Sequence, residues 1–127
     1  MKLLLATHTV LWFLGDVEKL SATAYKAIMS PENKNHISIA SAWEIAIKIS
    51  LNKLSFEGGT TRFLAAAKGN GFKILPIKGE YVKLVEKLPF LHRDPFDRML
   101  VVSAIAEGMC LVSGDTTIQK YDANIIW

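Results

Sequence analysis

Apolar residues in this chain follow two alternating spacings: short continuous runs, and longer segments with the three-to-four-residue period of an amphipathic helix. The runs predict strands, and the periodic segments between them, which end near Gly or Pro, predict helices. The predicted strands are Lys2–Leu5, His36–Ala40, Phe72–Leu75, Cys110–Val112 and, at an edge, Asn124–Trp127. Strands that alternate with helices predict a mainly parallel sheet with helices on both faces.

The clearest helix start is Asp94-Pro95, because Asp is a favoured N-cap and Pro suits the first helical position. This helix is predicted to run to about Glu107, before Gly108. Asp97 falls in its first turn, on the same face as Leu100, Val101 and Ala104. A carboxylate on the buried face of a helix is costly unless it is paired, hydrogen-bonded or bound to a metal. Asp97 is therefore either a capping residue or part of a polar site.

The composition is that of a folded protein. Of the 127 residues, 50% are hydrophobic and 21% are charged, which predicts one domain spanning residues 1–127. The net charge of +3 permits a nucleic-acid partner without indicating one, since there is no dense basic tract. The single cysteine, Cys110, excludes a disulfide within the chain and agrees with the reducing cytoplasm, where we expect the protein to act.

The beginning of the chain resembles a secretion signal, with Lys2 before an apolar run and Ala22-Thr23-Ala24 as a nominal cleavage site. His8 interrupts the apolar run, and the charges of Asp16 and Glu18 separate the run from that site. We therefore expect no export. No apolar run reaches the roughly 20 residues that span a bilayer, so we also expect no membrane segment.

Three acidic residues are predicted near the carboxyl ends of the strands, where open parallel sheets bind ligands. Glu44 follows the second strand and Asp115 the fourth, whereas Asp97 begins the helix that leads into the fourth strand. Structural alternatives exist, since Glu44 completes a capping box with Ser41 and Asp115 suits an N-cap. Together the acids offer the oxygen ligands that Mg²⁺ or Mn²⁺ requires for phosphodiester chemistry. The end of the first strand, the most central position, holds Ala6.

Four segments of the chain resemble PIN-domain toxins of the VapC type: Leu3–Thr9, Ser41–Lys48, Leu91–Leu100 and Leu111–Asp115. The likeness follows the whole chain in order, and its most specific parts are Trp-Glu-Ile-Ala-Ile-Lys and His-Arg-Asp-Pro-Phe-Asp-Arg. The resemblance implies a three-layer α/β/α sandwich with four to five strands and an endoribonuclease that depends on Mg²⁺ or Mn²⁺. It also implies a homodimer and a small cognate antitoxin that blocks the site.

The resemblance assigns the catalytic, metal-binding acids to Glu44, Asp97 and Asp115, with one more Asp expected at position 6. The family pattern there is Leu-Leu-Asp-Thr-His, whereas this chain has Ala6. Losing a residue that merely supports a metal ligand typically costs about 10–100-fold in metal affinity or activity, and losing a ligand costs at least as much. We therefore expect this chain to be a weak or inactive nuclease.

Three further residues are candidates for RNA contact. Lys48 either forms an i,i+4 ion pair or meets a phosphate. Arg98 is expected to contact RNA or to screen the acidic cluster, and Ser113 either holds a ligand or begins a turn. His8 and His92 are predicted to be hydrogen-bonded structural residues, because a metal-activated water needs no histidine. Large aromatic residues are predicted to lie in the core or at a partner interface, among them Trp12, Trp43 and Phe96.

Two other functions are compatible with these residues. The chain can act by holding an antitoxin or RNA without cutting, an interpretation that the loss of the acid at position 6 favours. An acidic Mg²⁺ site at strand ends also serves phosphatases and phosphoacceptor domains, although Ala6 removes the obvious nucleophile of such an enzyme. Cleavage of RNA after an Ala6→Asp change would separate a nuclease from both alternatives.

Overall fold

A computed structural model describes all 127 residues, Met1–Trp127. The strands are β1 (Lys2–Leu5), β2 (Lys34–Ser38), β3 (Lys73–Leu75), β4 (Cys110–Val112) and β5 (Ile125–Ile126). They form one sheet in the order β3-β2-β1-β4-β5, and every neighbouring pair is parallel. The prediction of a mainly parallel sheet is confirmed, and β1 is its central strand.

Six α-helices join these strands. They are α1 (Thr7–Gly15), α2 (Ala22–Met29), α3 (Ile39–Ser50), α4 (Gly59–Gly69), α5 (Gly79–Lys87) and α6 (Pro95–Glu107). Two helices therefore separate each of the first three strands from the next in the chain. Between β4 and β5 there is only a short 3₁₀ turn, Ile118–Lys120, and a second 3₁₀ turn, Val17–Lys19, follows α1.

The side chains at and after β1 alternate between two cores, as the two-residue period of a strand requires. Leu3 and Leu5 belong to a core that also contains residues of α1, α2, α3 and α4, whereas Leu4 and Ala6 belong to one built with α5 and α6. All four residues are fully buried. The sheet thus carries helices on both faces, and the expected three-layer α/β/α sandwich is confirmed.

The start of α3 differs from the prediction. Strand β2 ends at Ser38 rather than Ala40, and the Ser38 hydroxyl oxygen accepts a hydrogen bond from the Ala40 N–H (3.0 Å), so Ser38 is the N-cap. The predicted Ser41–Glu44 capping box is therefore wrong, because both residues lie inside the helix. Two serines three residues apart are equally good caps in sequence. The pairing of Ser38 with Leu75 in the sheet decides where the strand ends and the helix begins.

The start of α6 agrees with the prediction. Asp94 Oδ1 accepts hydrogen bonds from the N–H groups of Phe96 (2.8 Å) and Asp97 (3.3 Å), and Pro95 is the first helical residue. The helix ends at Glu107 and is followed by its C-cap, Gly108, whose φ of +64° is one that glycine adopts most readily. With 13 residues α6 is the longest helix, and none of the helices has the length and apolar character that crossing a membrane requires.

Candidate metal centre

Two of the predicted acids, Asp97 and Asp115, meet at the carboxyl edge of the sheet with His92 between them. His92 Nε2 lies 3.1 Å from Asp115 Oδ2 and 3.2 Å from Asp97 Oδ2. One potential ligand atom from each residue lies within 4.8 Å of the other two. We call these three residues the acidic centre.

The two carboxylate oxygens of Asp115 have different partners. Oδ1 accepts hydrogen bonds from the N–H groups of Thr117 (2.8 Å) and Ile118 (3.0 Å), whereas Oδ2 faces His92. Burial alone would raise the pKa of Asp115, but the N–H groups and the His92 ring together hold that pKa below its usual value. Asp115 is therefore both the predicted turn cap and an ionised member of the acidic centre.

Burial is also the largest influence on the pKa of Asp97, and for this residue the pKa is raised and not lowered. It raises the pKa of Asp97 to about 7, with further contributions from the carboxylates of Asp94, Glu44 and Asp115 and only partial opposition from His92. The predicted inward face of the helix is confirmed, since its apolar members are buried: Leu100, Val101 and Ala104. The ionised form of Asp97 is therefore disfavoured in the centre, and a divalent cation would offset that cost.

Glu44 lies beside the acidic centre, but its carboxylate already has partners. The residue is 5% exposed. The Thr7 hydroxyl donates to Glu44 Oε1 (2.8 Å) and lies 2.9 Å from Ser41 Oγ, while Lys48 Nζ lies 2.7 Å from Glu44 Oε2. Glu44 supplies no ligand atom to the cluster of three that defines the centre. The structure therefore brings Asp97 and Asp115 together directly and leaves Glu44 at their side.

Ala6 stands at the end of the central strand and is fully buried. Its N–H donates to the carbonyl oxygen of Val112 (3.1 Å), so it continues the pairing of β1 with β4. It is also the N-cap residue of α1, where it makes no side-chain hydrogen bond. Position 6 therefore supplies neither a ligand nor a side-chain cap at the edge where the other acids gather.

Of the three residues predicted to contact RNA, only Lys48 presents an exposed charged group. Its side chain is 48% exposed, and its pKa is raised mainly by the hydrogen bond to Glu44, so the predicted i,i+4 ion pair exists. Ser113 is fully buried, and its Oγ accepts a hydrogen bond from the Asp115 N–H (3.1 Å). Ser113 therefore begins the turn that carries Asp115, which is one of the two roles predicted for it.

Arg98, predicted to contact RNA or to screen the acidic cluster, is buried in the fold. The residue is 7% exposed, and its guanidinium lies over the Phe90 ring, 4.7 Å from the centroid. A buried guanidinium needs acceptors for its five N–H groups. Arg98 donates to the carbonyl oxygens of Val85, Leu88 and Pro89 and to the Tyr121 hydroxyl. It thereby holds the segment that returns the start of α6, and Asp97 with it, to the edge where β4 ends.

His92 is the member of the centre whose role the sequence did not reveal. It is hydrogen-bonded, as predicted, but its ring lies between the acids and is 16% exposed. The Asp94 N–H donates to His92 Nδ1 (3.0 Å), and the His92 N–H donates to the Tyr121 hydroxyl (2.9 Å). The one feature of the sequence that points to His92 is its position five residues before the inward-facing Asp97. No local pattern links that histidine to Asp115, which is 23 residues away.

His8 lies in an aromatic cluster next to the turn that carries Asp115. The ring centroids of Trp12 and Trp127 are 4.9 and 6.0 Å from that of His8, and the Gly114 N–H donates to His8 Nε2 (3.3 Å). Burial lowers the pKa of His8 despite the attraction of two nearby carboxylates. His8 is therefore a neutral acceptor in a packed site, which agrees with its predicted structural role.

The residues of the acidic centre suit Mg²⁺ or Mn²⁺. These cations prefer oxygen ligands, and Asp97 and Asp115 each direct one oxygen to the point that His92 Nε2 approaches. These two carboxylates would hold the ion, with Glu44 close enough to influence the Asp97 carboxylate.

A family model described as "PIN domain" matches residues 3–124. No curated protein matches the chain in sequence. Among solved structures, the chain is similar to VapBC2 from Rickettsia felis bound to a DNA fragment from its promoter, with a TM-score of 0.75 and 15% identity over 99% of this chain and 98% of that one.

Two further structures share the fold. A toxin–antitoxin complex from Klebsiella pneumoniae aligns with a TM-score of 0.65 and 16% identity over 98% of this chain and 95% of that one. FitAcB from Neisseria gonorrhoeae aligns with a TM-score of 0.58 and 12% identity over 98% and 96%. At such identities the structural likeness demonstrates the fold, while the family model covers nearly the whole chain. The chain therefore belongs to the PIN domain family.

Proposed function

We propose that this chain is the toxin of a type II toxin–antitoxin pair, and that its fold is built for metal-dependent cleavage of RNA. Membership of the PIN domain family, whose members are generally nucleases, supports a hydrolase. The similar structures from R. felis and K. pneumoniae, a VapBC2 assembly and a toxin–antitoxin complex, support a cognate antitoxin as partner. We further propose that the protein works in the cytoplasm.

The convergence of Asp97 and Asp115 is the observation that carries this proposal. They come from different elements, the first turn of α6 and the turn after β4, yet both place an oxygen within 3.2 Å of the same nitrogen. Two partly buried carboxylates held this close cost free energy unless a cation or proton lies between them. Such a cost is expected where the arrangement serves chemistry rather than folding.

The protein's own residues have separate tasks in this proposal. Asp97 and Asp115 would hold Mg²⁺ or Mn²⁺, and Glu44 holds Lys48 through their 2.7 Å ion pair. When bound, such an ion stabilises charge on a phosphodiester and lowers the pKa of a coordinated water. The exposed Lys48 ammonium can meet an RNA phosphate oxygen next to the centre.

Ala6 is the reason we propose weak or absent activity for this chain. It ends the central strand, beside β4 and the turn of Asp115, and offers no oxygen. The ligand set that the resemblance implies is therefore incomplete at the end of the central strand. Restoring a carboxylate at position 6 should increase both metal affinity and cleavage by at least about tenfold.

The surface next to the centre suits a protein partner. Trp43 is 59% exposed and packs edge-on against Phe96, with ring centroids 5.2 Å apart. Exposed large apolar side chains that cluster are typical of interfaces. We propose that this surface serves antitoxin binding or homodimer formation, which is one of the two locations, core or partner interface, predicted for Trp43 and Phe96.

The test is RNA cleavage by the Ala6→Asp protein and by the unchanged chain. Both would be incubated with structured and single-stranded RNAs in Mg²⁺, in Mn²⁺ and with EDTA. We expect cleavage by the Ala6→Asp protein that EDTA abolishes, and little or none by the unchanged chain. A folded Ala6→Asp protein without EDTA-sensitive cleavage of any RNA would overturn the nuclease proposal.

Two controls make this result specific. Ala6→Asn adds a side chain of the same size without the charge, and should not restore cleavage. Asp97→Asn in the Ala6→Asp background removes one carboxylate from the centre, and should abolish the restored activity. Circular dichroism of each variant would show that a lost activity is not a lost fold.

A second candidate function is a binding module without catalysis, which the buried Ala6 specifically favours. Such a protein would bind RNA or an antitoxin with the same affinity whether position 6 is Ala or Asp. It would also show no turnover in either form. Binding and cleavage measured on the same two proteins therefore decide between the two candidates.

A further inference from the structure

The imidazole of His92 stands where the two carboxylates of the acidic centre converge. Its Nε2 donates a hydrogen bond to Asp115 Oδ2 at 3.1 Å and lies 3.2 Å from Asp97 Oδ2, so it is almost equally far from both oxygens. The ring is 16% exposed, and little of it faces solvent. A side chain of the protein thus occupies the space between the two proposed metal ligands.

The backbone decides which nitrogen of this ring carries the proton. The Asp94 N–H donates to His92 Nδ1 at 3.0 Å, so Nδ1 presents a lone pair and the ring proton resides on Nε2. The N–H that points at Asp115 therefore leaves Nε2 without a lone pair for a cation. In this arrangement the imidazole is a donor to the carboxylates and not a metal ligand.

The segment that carries His92 is held independently of the carboxylates. The Tyr121 hydroxyl accepts hydrogen bonds from the backbone N–H groups of Leu91 (3.2 Å) and His92 (2.9 Å). Tyr121 is itself 5% exposed. The backbone that carries the imidazole is thus held next to the centre by Tyr121 and not by the acids.

We propose that His92 is an internal competitor of the metal: its Nε2–H occupies the position of a divalent cation between Asp97 and Asp115, and the ring must leave before the cation binds. The inference rests on the proposed metal site and goes beyond it by naming the residue that sets its affinity. A single N–H supplies less positive charge than a divalent ion, so the ring weakens metal binding without preventing it. Because Ala6 removes one carboxylate, the cation gains less here and competition is stronger than with Asp at position 6.

The opposite role for His92, a nitrogen ligand of the metal, has a structural cost. Nε2 would have to lose its proton, the ring proton would move to Nδ1, and the hydrogen bond from the Asp94 N–H would be lost. The two roles predict opposite effects of removing the ring, so a binding measurement separates them.

The test measures Mn²⁺ binding to the full chain and to its His92→Asn variant. The electron paramagnetic resonance signal of free Mn²⁺ reports how much of the ion remains unbound. An Asn oxygen can still accept the N–H two residues later, as Asx turns do, but the shorter side chain does not extend as far as an imidazole. Losing one hydrogen bond to a charged group should tighten Mn²⁺ binding by about tenfold. The matched control is His36→Asn on β2, which removes a histidine outside the centre and should leave the Mn²⁺ affinity unchanged.

Weaker Mn²⁺ binding by His92→Asn would overturn the proposal, and so would equal binding. Imidazole ¹⁴N coupling in the spectrum of Mn²⁺ bound to the unchanged chain would do the same, because it would identify a nitrogen ligand. Binding by the variant alone supports competition. If no form binds Mn²⁺, including both proteins with Ala6→Asp added, the metal site and the competitor role both fail. If Mn²⁺ binds as expected and no RNA is cleaved, the nuclease proposal alone fails.

A second measurement needs no variant. Correlation of the ring ¹⁵N and ¹H nuclei of the unchanged chain reports which nitrogen of His92 carries the proton. We expect protonation on Nε2, and a large change in the His92 signals alone when Mg²⁺ saturates the protein. His8 and His36 are internal references. Protonation on Nδ1, or His92 signals that stay constant through Mg²⁺ saturation, would overturn the proposal.

Discussion

The Tyr121 hydroxyl lies 3.2 Å from a guanidinium nitrogen of Arg98, and this buried pair joins α6 to the residue that follows the Ile118–Lys120 turn. The same hydroxyl accepts the backbone N–H groups of Leu91 and His92. One phenolic oxygen therefore fixes the register between the start of α6 and the loop that carries the His92 ring. The arrangement ties the geometry of the acidic centre to a residue that lies outside it.

Tyr121→Phe should lower the free energy of unfolding by about 1–3 kcal/mol, because it leaves buried N–H donors without an acceptor. Urea denaturation of both proteins measures the difference. The matched control is Tyr25→Phe at an exposed position, which should change stability by no more than about 0.5 kcal/mol. Equal stability of the two tyrosine variants would contradict the importance of the Tyr121 hydroxyl.

Asp97→Asn should stabilise the metal-free protein at pH 8. The pKa of Asp97 is raised from 3.8 to about 7, so the folded protein binds this proton more tightly than the unfolded chain. The resulting stabilisation is fully present below about pH 4 and is lost as the pH rises to 7. At about 1.4 kcal/mol per tenfold change in proton affinity the limit is about 4 kcal/mol, and relaxation of the site reduces it to on the order of 1–3 kcal/mol.

The measurement for Asp97 is the free energy of unfolding at several pH values in EDTA. The Asn variant should gain on the unchanged protein between pH 4 and pH 7 and keep that gain at pH 8. Asp16→Asn, at an exposed carboxylate whose pKa is lowered, should show no such gain. If the difference in unfolding free energy between the Asp97 variant and the unchanged protein does not change with pH, burial does not raise the pKa of Asp97.

Gly114→Ala should disturb the aromatic cluster of His8, Trp12 and Trp127, because a Cβ at position 114 would lie 2.5 Å from Cε2 of Trp127. We expect a loss of about 1–3 kcal/mol and a shift in tryptophan fluorescence as the indole moves away. Gly79→Ala is the matched control, since a Cβ at position 79 meets no atom within 4 Å. Unchanged fluorescence in the Gly114 variant would mean that Trp127 does not pack as described.

Lys48→Gln should leave the buried Glu44 carboxylate without its cation. We expect a loss of about 1–2 kcal/mol at pH 8, less than for a fully buried pair because Lys48 is half-exposed. Thermal and urea unfolding measure this loss. Lys53→Gln, on the exposed turn after α3, is the control for removing a surface lysine. Equal effects of the two changes would contradict a specific role for the Glu44 pair.

Much of the fold is predictable because its determinants are local. The strands Lys2–Leu5 and Cys110–Val112 lie where the apolar pattern predicts them, and Asp94 caps α6 as its sequence indicates. The start of α3 is the exception, where Ser38 and Ser41 are both adequate caps. Pairing of Ser38 with a neighbouring strand resolves that ambiguity, and strand pairing cannot be read from three adjacent residues.

The candidate site is predictable in part. The order of strands and helices is enough to place Glu44 and Asp115 at one edge of a parallel sheet, and the helical period is enough to turn Asp97 inward. The environment of Arg98 is not predictable from its position beside Asp97, since a cation next to an acid in sequence need not lie next to it in space. Successive helical residues point in different directions, and the Arg98 side chain enters the core while Asp97 faces the centre.

The order of residues along the chain is thus sufficient to predict the parallel α/β fold and the inward carboxylate of Asp97. It also shows that position 6 has Ala in place of an acid. Only the tertiary structure shows that His92 lies between Asp97 and Asp115, that Arg98 and Tyr121 hold its loop, and that Ser113 is buried. The physical reason is distance along the chain. Periodicity and capping act over a few residues, whereas the contact of His92 with Asp115 joins residues 23 positions apart and arises only when α6 and β4 pack together.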